Sequence, residues 1–326
     1  MCTTQFHFIT YNTHLFFQDV IDIGPLFEDE QRREAISLYL RSLQPNMINI
    51  AALQEVWWAE FAHEIFKDAL NYPSYINRYV ENDEGKGLNK PGLMLLADSN
   101  CNFKLHHGWE SYKSECGELP LTIPGTPNDP HGWNAQDFPV WKGKMDATGQ
   151  FQCSEGDTHT IGLFTTHMPV GYDENPHKVH CSFDYLAKKI TKWRSQNPGS
   201  AVILLGDLNI DALRQDDKGK EEYAEAVGKR LIGWAGLTDA AGTDQAYATI
   251  VPSTNLTWQY FNNTTTGDPQ RIDYFMYANS TDGTSMTVQV DSINVNSQLT
   301  FPYNGESYAC SDHYPLEITA TITVNE

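Results

Sequence analysis

The sequence predicts an α/β fold in a single domain spanning 1–326, and three observations predict it. Strand-like and helix-like patterns alternate from end to end. No repeat with a period of roughly 20–50 residues is present. Hydrophobic residues make up 40% of the 326 positions against 20% charged, enough apolar material for a sizeable core.

The elements follow in order. Phe6, Phe8 and Thr10 alternate with His7, Ile9 and Tyr11, giving a first strand that ends at Asn12. Glu28 to Leu43 reads as a helix with Ala35, Ile36, Tyr39, Leu40 and Leu43 on one face, and Pro45 ends it. Met47 to Leu53 is a short apolar run closing on Gln54-Glu55. Trp58, Phe61, Ala62, Ile65 and Ala69 recur at helical spacing, and Leu93 to Ala97 is another apolar strand. Residues 115–150 break the rhythm with Pro120, Pro124, Pro127, Pro130 and Pro139 among interspersed glycines. Loops of this length are uncommon in compact domains and often functional, so the stretch is expected to be a lid or insertion. Strand sequence resumes at His159 to Thr165. Val179, Phe183, Leu186, Ile190 and Trp193 then mark an amphipathic helix closed by Asn197-Pro198-Gly199. Ala201 to Leu205 is a fully apolar strand feeding Gly206-Asp207-Leu208-Asn209, and a shorter helix runs from Glu221 to Trp234. Strands are expected at Thr257-Trp258, Ile272 to Tyr277, Ser285 to Val290 and Leu316 to Val324.

The net charge is −20, from 42 acidic against 22 basic residues. Such a surface repels phosphate polyanions and gives little counterion-release affinity, which argues against a nucleic-acid partner. No apolar run of about 18 residues encodes a membrane span. Met1 to Thr4 shows neither the basic nor the apolar region of a signal peptide. Sequons at Asn255, Asn262, Asn263 and Asn279 and the even count of 6 cysteines point to secretion, with a cytoplasmic protein as the alternative. Cys116 and Cys153 bracket the Pro/Gly-rich stretch, where a bridge would staple a long loop. Cys2, Cys101, Cys181 and Cys310 equally suit free buried thiols.

Several segments place polar residues directly after an apolar strand: Ile9-Thr-Tyr-Asn12, Leu53-Gln-Glu55, Thr165-Thr-His167, Gly206-Asp207-Leu-Asn209, Arg271-Ile-Asp273-Tyr274 and Ser311-Asp312-His313. Strand-end carboxylates of an α/β protein point into a shared crevice. Glu55, Asp207, Asp273 and Asp312 supply the oxygen ligands that hard cations take, with Asn12 and Asn209 as neutral donors. His167 and His313 complete what phosphodiester cleavage needs, a base for water and an acid for the leaving alkoxide. Any one of these segments alone is an ordinary turn. Their combination in this order is not.

The ordered motifs resemble the endonuclease/exonuclease/phosphatase superfamily, from Phe6 to about Ile322. The resemblance implies a four-layer α/β sandwich of two packed mixed sheets flanked by helices, and Mg²⁺-dependent phosphoester hydrolysis, with Mn²⁺ or another divalent cation as a substitute. Glu55 resembles the principal metal ligand and Asn12 the Asn that supports metal and phosphate. His313 is similar to the base on water, Asp273 to its orienting partner, and Asp207 with Asn209 to the pair that positions nucleophile and phosphate. His167 resembles the donor to phosphate or leaving group, and Asp312 the acidic neighbour of His313 in Ser311-Asp312-His313.

Within that superfamily, Ser311-Asp-His-Tyr-Pro315 and Tyr11-Asn-Thr-His-Leu-Phe-Phe17 resemble the neutral sphingomyelinase branch, as do Cys116 and Cys153 with Lys142-Gly143 between. The branch implies a phospholipid substrate, sphingomyelin, met at a membrane surface by a monomer and cut by in-line attack of His-activated water; the alternatives are a metal-dependent endonuclease acting on DNA or RNA and a non-catalytic binding or toxin subunit on the same scaffold. Leu299 to Tyr303 is shorter than that branch's membrane-entering hairpin. Trp57, Phe16, Phe17, Tyr172 and Asp173 are candidate cleft residues. Trp58 is read as core, and His14 as a polar wall residue without a partner.

Overall fold

A computed structural model of the chain describes residues 1–15, 28–43, 46–57, 59–68, 74–76, 92–97, 101–112, 116, 142–152, 157–170, 176–282 and 285–325. Two six-stranded mixed sheets pack face to face. The first has the order β11(Met286–Val295), β14(Leu316–Val324), β1(Cys2–Leu15), β2(Ile48–Val56), β4(Met94–Ala97), β3(Ser74–Ile76). The second runs β5(Cys101–Ser111), β6(Gly143–Gln152), β7(Thr158–His167), β8(Val202–Asp207), β10(Asp273–Ala278), β9(Thr238–Asp239). The parallel pairs β1/β2 and β7/β8 lie in the body of each sheet.

The strand period of two divides each strand between layers. Phe6 and Phe8 of β1, Ile50 and Ala52 of β2, Ile203 and Leu205 of β8 and Phe275 of β10 fill the core between the sheets. The alternate residues of β1, Ile9 and Tyr11, face outward with Ala51 and Leu53. There α1(Asp29–Arg41) and α2(Ala59–Asp68) supply Ile36, Leu40, Phe61 and Ile65. Val202, Leu204 and Tyr274 meet α3(Pro176–Gln196) through Val179, Phe183, Leu186 and Ile190. The result is helix, sheet, sheet, helix, the four-layer sandwich expected. Among the described residues no helix is long and apolar enough to cross a membrane.

Several expectations are corrected. The stretch 115–150 is not one long excursion, because β6 begins at Gly143 and is paired along its length with both β5 and β7. Its polar residues Lys144 and Asp146 are buried as a pair 2.6 Å apart, with Glu110 3.0 Å from the same ammonium. Thr257 and Trp258 lie in a helix, Leu256–Asn262, not a strand. Asn255 caps it by accepting from the Trp258 N–H at 2.9 Å, and that local bond overrides the β preference of Thr and Trp. The helix expected at 221–234 starts earlier, at Asp217, and continues past Tyr223 as a π-helical stretch, Ala224–Trp234. Cys116 pairs with Cys181 of α3 rather than with Cys153, Cys2 is also disulfide-bonded, and Cys101 and Cys310 are buried. Sequence spacing favoured the short loop, whereas the fold lays the end of β5 against α3. Thr300 to Ala309 does form a hairpin, β12(Thr300–Tyr303) with β13(Glu306–Ala309). Phe301 turns into the core and Asn304-Gly305 makes its polar tip. Phe16, Phe17, Trp58, Tyr172, Asp173 and most of 115–141 lie outside the described residues.

Candidate active site

The alternation that builds the core also builds the site. Residues 6, 8, 10 and 12 of β1 share its inward face, and so do 203, 205 and 207 of β8. Phe6 and Phe8, and Ile203 and Leu205, keep this face apolar; past Thr10, the strand termini carry Asn12, Asp207 and Asp273 into the crevice between the sheets. Register aligns the second sheet's contribution, with His167 directly beside Asp207 and Asp207 directly opposite Asp273. Gly206 is required at this point. A Cβ there would lie 2.2 Å from the Thr166 carbonyl oxygen of the neighbouring strand, closer than any real contact.

Glu55 breaks the alternation. By parity it would face the helices, but its backbone is left-handed with φ 58°, and its carboxylate reaches across to the second sheet. Glu55 Oε1 stands 3.4 Å from Lys142 Nζ and 3.5 Å from His167 Nε2. Lys142 Nζ is also 2.9 Å from His167 Nδ1 and makes a closer contact to Nε2. Trp57 is buried under this group, its ring 5.9 Å from Lys142 Nζ, so it supports the cleft floor and is not an exposed contact.

Asn12 donates from Nδ2 to Asp207 Oδ2 at 3.0 Å and accepts the His14 N–H on Oδ1 at 3.1 Å. Both ends of this amide therefore frame the site. His313 Nδ1 lies 2.7 Å from Asp273 Oδ2, a charge-assisted pair buried at both ends. Asp312 accepts from Ser311 Oγ at 3.1 Å, and its Oδ1 is 3.4 Å from His14 Nδ1. The same imidazole nitrogen lies 3.4 Å from Glu55 Oε2. His14 thus sits between two carboxylates, against the expectation that it lacks a partner. Asn209 has φ 51°; its N–H closes an Asx turn on Asp207 Oδ1 at 2.8 Å, and its Nδ2 donates to the Met168 carbonyl at 2.8 Å. That side chain ties the ends of β7 and β8 together. Arg271 pairs with Asp239 at 2.6 Å, which leaves Asp273 to His313.

Burial and charge set the protonation states. Burial pulls the His167 imidazole well below its ordinary value and the Lys142 ammonium reinforces this, so it stands neutral. Burial alone would raise Glu55, but Lys142, His14 and His167 outweigh it and hold the carboxylate well below the usual range. Burial followed by the facing Asp273 charge pushes Asp207 up. His313 would be lowered by burial, yet the Asp273 charge and hydrogen bond, with Asp312 and Asp207 beyond, raise it to about 10.

A divalent cation fits this donor set. Asp273 Oδ1 is a buried carboxylate oxygen without a hydrogen-bond partner, and Glu55 Oε2 meets only the His14 imidazole at 3.4 Å, an arrangement that leaves buried carboxylate oxygens for a cation to meet. Asp207, Asp273 and His313 also offer ligand atoms within 4.8 Å of one another. His313 already holds Asp273 by a short bond, so Glu55, with Asp207 between the two halves, is the other carboxylate that could hold a cation.

Two further residues order this site. Lys142, marked in the sequence only as half of the Lys142-Gly143 pair and given no role there, stands where β6 opens. Arg32 lies on α1, whose sequence was read for its apolar face alone. It is buried and donates to the carbonyls of Thr13, His14 and Cys310. Asn255 is structural as well as a sequon, because its buried Nδ2 donates to the Ser311 and Asp312 carbonyls at 3.0 Å each.

The sequence matches the endonuclease/exonuclease/phosphatase family over residues 9–313. The chain belongs to that family. No curated protein matches it in sequence. Its fold is similar to that of truncated Caenorhabditis elegans TDP2, at TM-score 0.57 and 16% identity over 97% of each chain. A Bacteroides thetaiotaomicron mannosyl-6-phosphatase aligns at TM-score 0.56 and 16% identity, covering 97% of this chain and 99% of its own. Streptomyces griseocarneus sphingomyelinase C aligns at 0.54 and 16%, again covering 97% and 99%. At these identities the likeness shows the fold alone.

Proposed function

We propose that this protein is a Mg²⁺-dependent phosphodiesterase that removes the headgroup of a phospholipid, sphingomyelin foremost, releasing ceramide and phosphocholine. The observation that carries the hydrolytic reading is the convergence of Glu55, His167, Asp207, Asp273 and His313 from both sheets on one buried cluster. Lys142 and the neutral His167 place N–H donors beside Glu55, where a phosphoryl oxygen would gain charge. Asp273 fixes the ring of His313, leaving Nε2 as the nitrogen that exchanges a proton with water. Asn12 and the Asx turn of Asn209 hold Asp207 so that it cannot rotate away from that water. When bound, the cation offsets phosphoryl charge and the surrounding carboxylates, which also lowers the hold of His313 on its proton.

The lipid part of the reading rests on chemistry and likeness. The charge of −20 disfavours polyanionic DNA and RNA. A hairpin bearing Tyr303 and Tyr308 leads straight into Ser311-Asp312-His313. A sphingomyelinase C shares the fold, and the notion that this chain acts as a secreted monomer at a membrane surface belongs to the same proposal.

The test is a substrate panel of sphingomyelin, phosphatidylcholine, plasmid DNA and RNA with Mg²⁺ and with EDTA, for wild type and His313→Ala. The reading expects Mg²⁺-dependent release of phosphocholine, lost in the variant. Cleavage of DNA or RNA in preference to lipid would replace the substrate and keep the site. Absence of turnover on every diester would remove the function.

A further inference from the structure

We propose that Arg32 is the positioning residue that holds the two sides of this site in register, an inference that rests on the phosphodiesterase reading. Its guanidinium is 1% exposed although it carries a full charge, and every donor group it presents is directed at the site's two loops or at its own helix. Nη2 donates to the carbonyls of Thr13 at 2.7 Å and His14 at 2.9 Å, where β1 ends. Nε donates to the Cys310 carbonyl at 2.7 Å, one residue before Ser311-Asp312-His313. Nη1 returns to Asp29 Oδ1 at 2.7 Å, which anchors the fork on α1.

The planar fork thus fixes three carbonyls from two segments almost 300 residues apart in sequence, separated by 278 positions for Arg32 and Cys310. What it fixes is consequential. His14 is held left-handed at φ 47°, a costly conformation for a non-glycine residue that persists only where its surroundings over-determine it. Arg32 grips its carbonyl, Asn12 its N–H, and Phe261 packs tilted against its ring at 4.4 Å between centroids. From Cys310 the order passes on. Ser311 Oγ donates to the Asn12 carbonyl at 2.7 Å and accepts the His313 N–H at 3.2 Å. Removing the fork leaves three buried carbonyls without this donor and frees His313 to swing from Asp273. A misplacement near 1 Å at such a group costs roughly 100-fold in rate.

The test uses ¹⁵N-histidine-labelled full-length protein as wild type, Arg32→Ala and Arg32→Lys. It reads the hydrogen-bonded His313 Nδ1–H resonance together with Mg²⁺-dependent turnover of bis(4-nitrophenyl) phosphate. Both variants are expected to keep the wild-type far-ultraviolet circular dichroism, lose that resonance, and fall about 10- to 100-fold in kcat with little change in KM. Methylguanidinium is expected to restore resonance and rate to Arg32→Ala and not to Arg32→Lys, whose side chain fills the space. Should Arg32→Ala not fold, Arg32→Lys decides alone. An unchanged resonance and kcat in a folded variant overturns the proposal, as does a loss in folded Arg32→Ala that methylguanidinium leaves unrestored. If wild type hydrolyses no diester, the phosphodiesterase reading fails, while the resonance still decides whether Arg32 positions His313.

Discussion

Replacing Gly206 with alanine should damage both stability and turnover, and the structure sets the size of the effect. The added Cβ would lie 2.2 Å from the Thr166 carbonyl oxygen and 3.0 Å from its carbonyl carbon, both main-chain atoms of the parallel neighbour. Relief needs a shift approaching 1 Å, and no flexible side chain can absorb it. Overpacking of this kind costs about 1–3 kcal/mol, and the rigid neighbour places it at the upper end. For a chain of 326 residues, about 3 kcal/mol lowers Tm by roughly 4–5 °C. The shift falls between Thr166 and Gly206, so it separates the next pair in register, His167 and Asp207. Turnover should therefore drop about 100-fold even at temperatures where the variant is folded. Calorimetry and kcat on a chromogenic diester read the two effects separately. A Gly206→Ala protein with wild-type Tm and wild-type kcat would refute the reasoning that this glycine sets the strand spacing beneath the site.

Two further outcomes follow from the charges. Lys142→Met keeps the length of the side chain and removes the ammonium beside Glu55 and His167; kcat should fall about 10- to 100-fold with the fold retained, and an unchanged rate would remove Lys142 from the site's electrostatics. Burial would raise Glu317, but the His7 imidazole 3.8 Å away and hydrogen bonds from Tyr39 and Asn296 outweigh it and lower the carboxyl to about 2. A depressed carboxyl stabilises the fold above its unfolded value near 4.3 and loses that contribution as pH falls toward 2. Glu317→Gln should thus be about 1–2 kcal/mol less stable than wild type in urea at pH 7, since solvent screens part of the interaction of this partly exposed carboxyl, with the gap closing near pH 2–3. A gap that stays constant with pH would contradict that account.

Much of the architecture was legible because its signals are local. Ala201 to Leu205 is apolar on both faces, and the structure buries it between the core and α3. Phe6, Phe8 and Thr10 set the parity that carries Asn12 into the crevice. The parts that were not legible depend on distant partners. The strand from Gly143 to Gln152 carries Lys144, Asp146, Thr148 and two glycines, a pattern that reads as loop until Glu110 and the paired strands are known. His14 looked solitary because Glu55 and Asp312, its neighbours in space, are 41 and 298 positions away in the numbering. The partner of Cys116 could not be read from spacing, since cysteine connectivity is set by where the chain folds. Arg32 escaped for the same reason, and Lys142 showed only as half of a Lys-Gly pair with no role attached: a buried cation is recognised by what surrounds it.

Crystals soaked in Mn²⁺ and measured at the manganese absorption edge test the account at its centre. It predicts an anomalous peak about 2 Å from a Glu55 carboxylate oxygen, on the side facing Asp207, and its loss in Glu55→Gln. A peak held by carboxylates remote from His167 and His313, or none at saturating Mn²⁺, would contradict it.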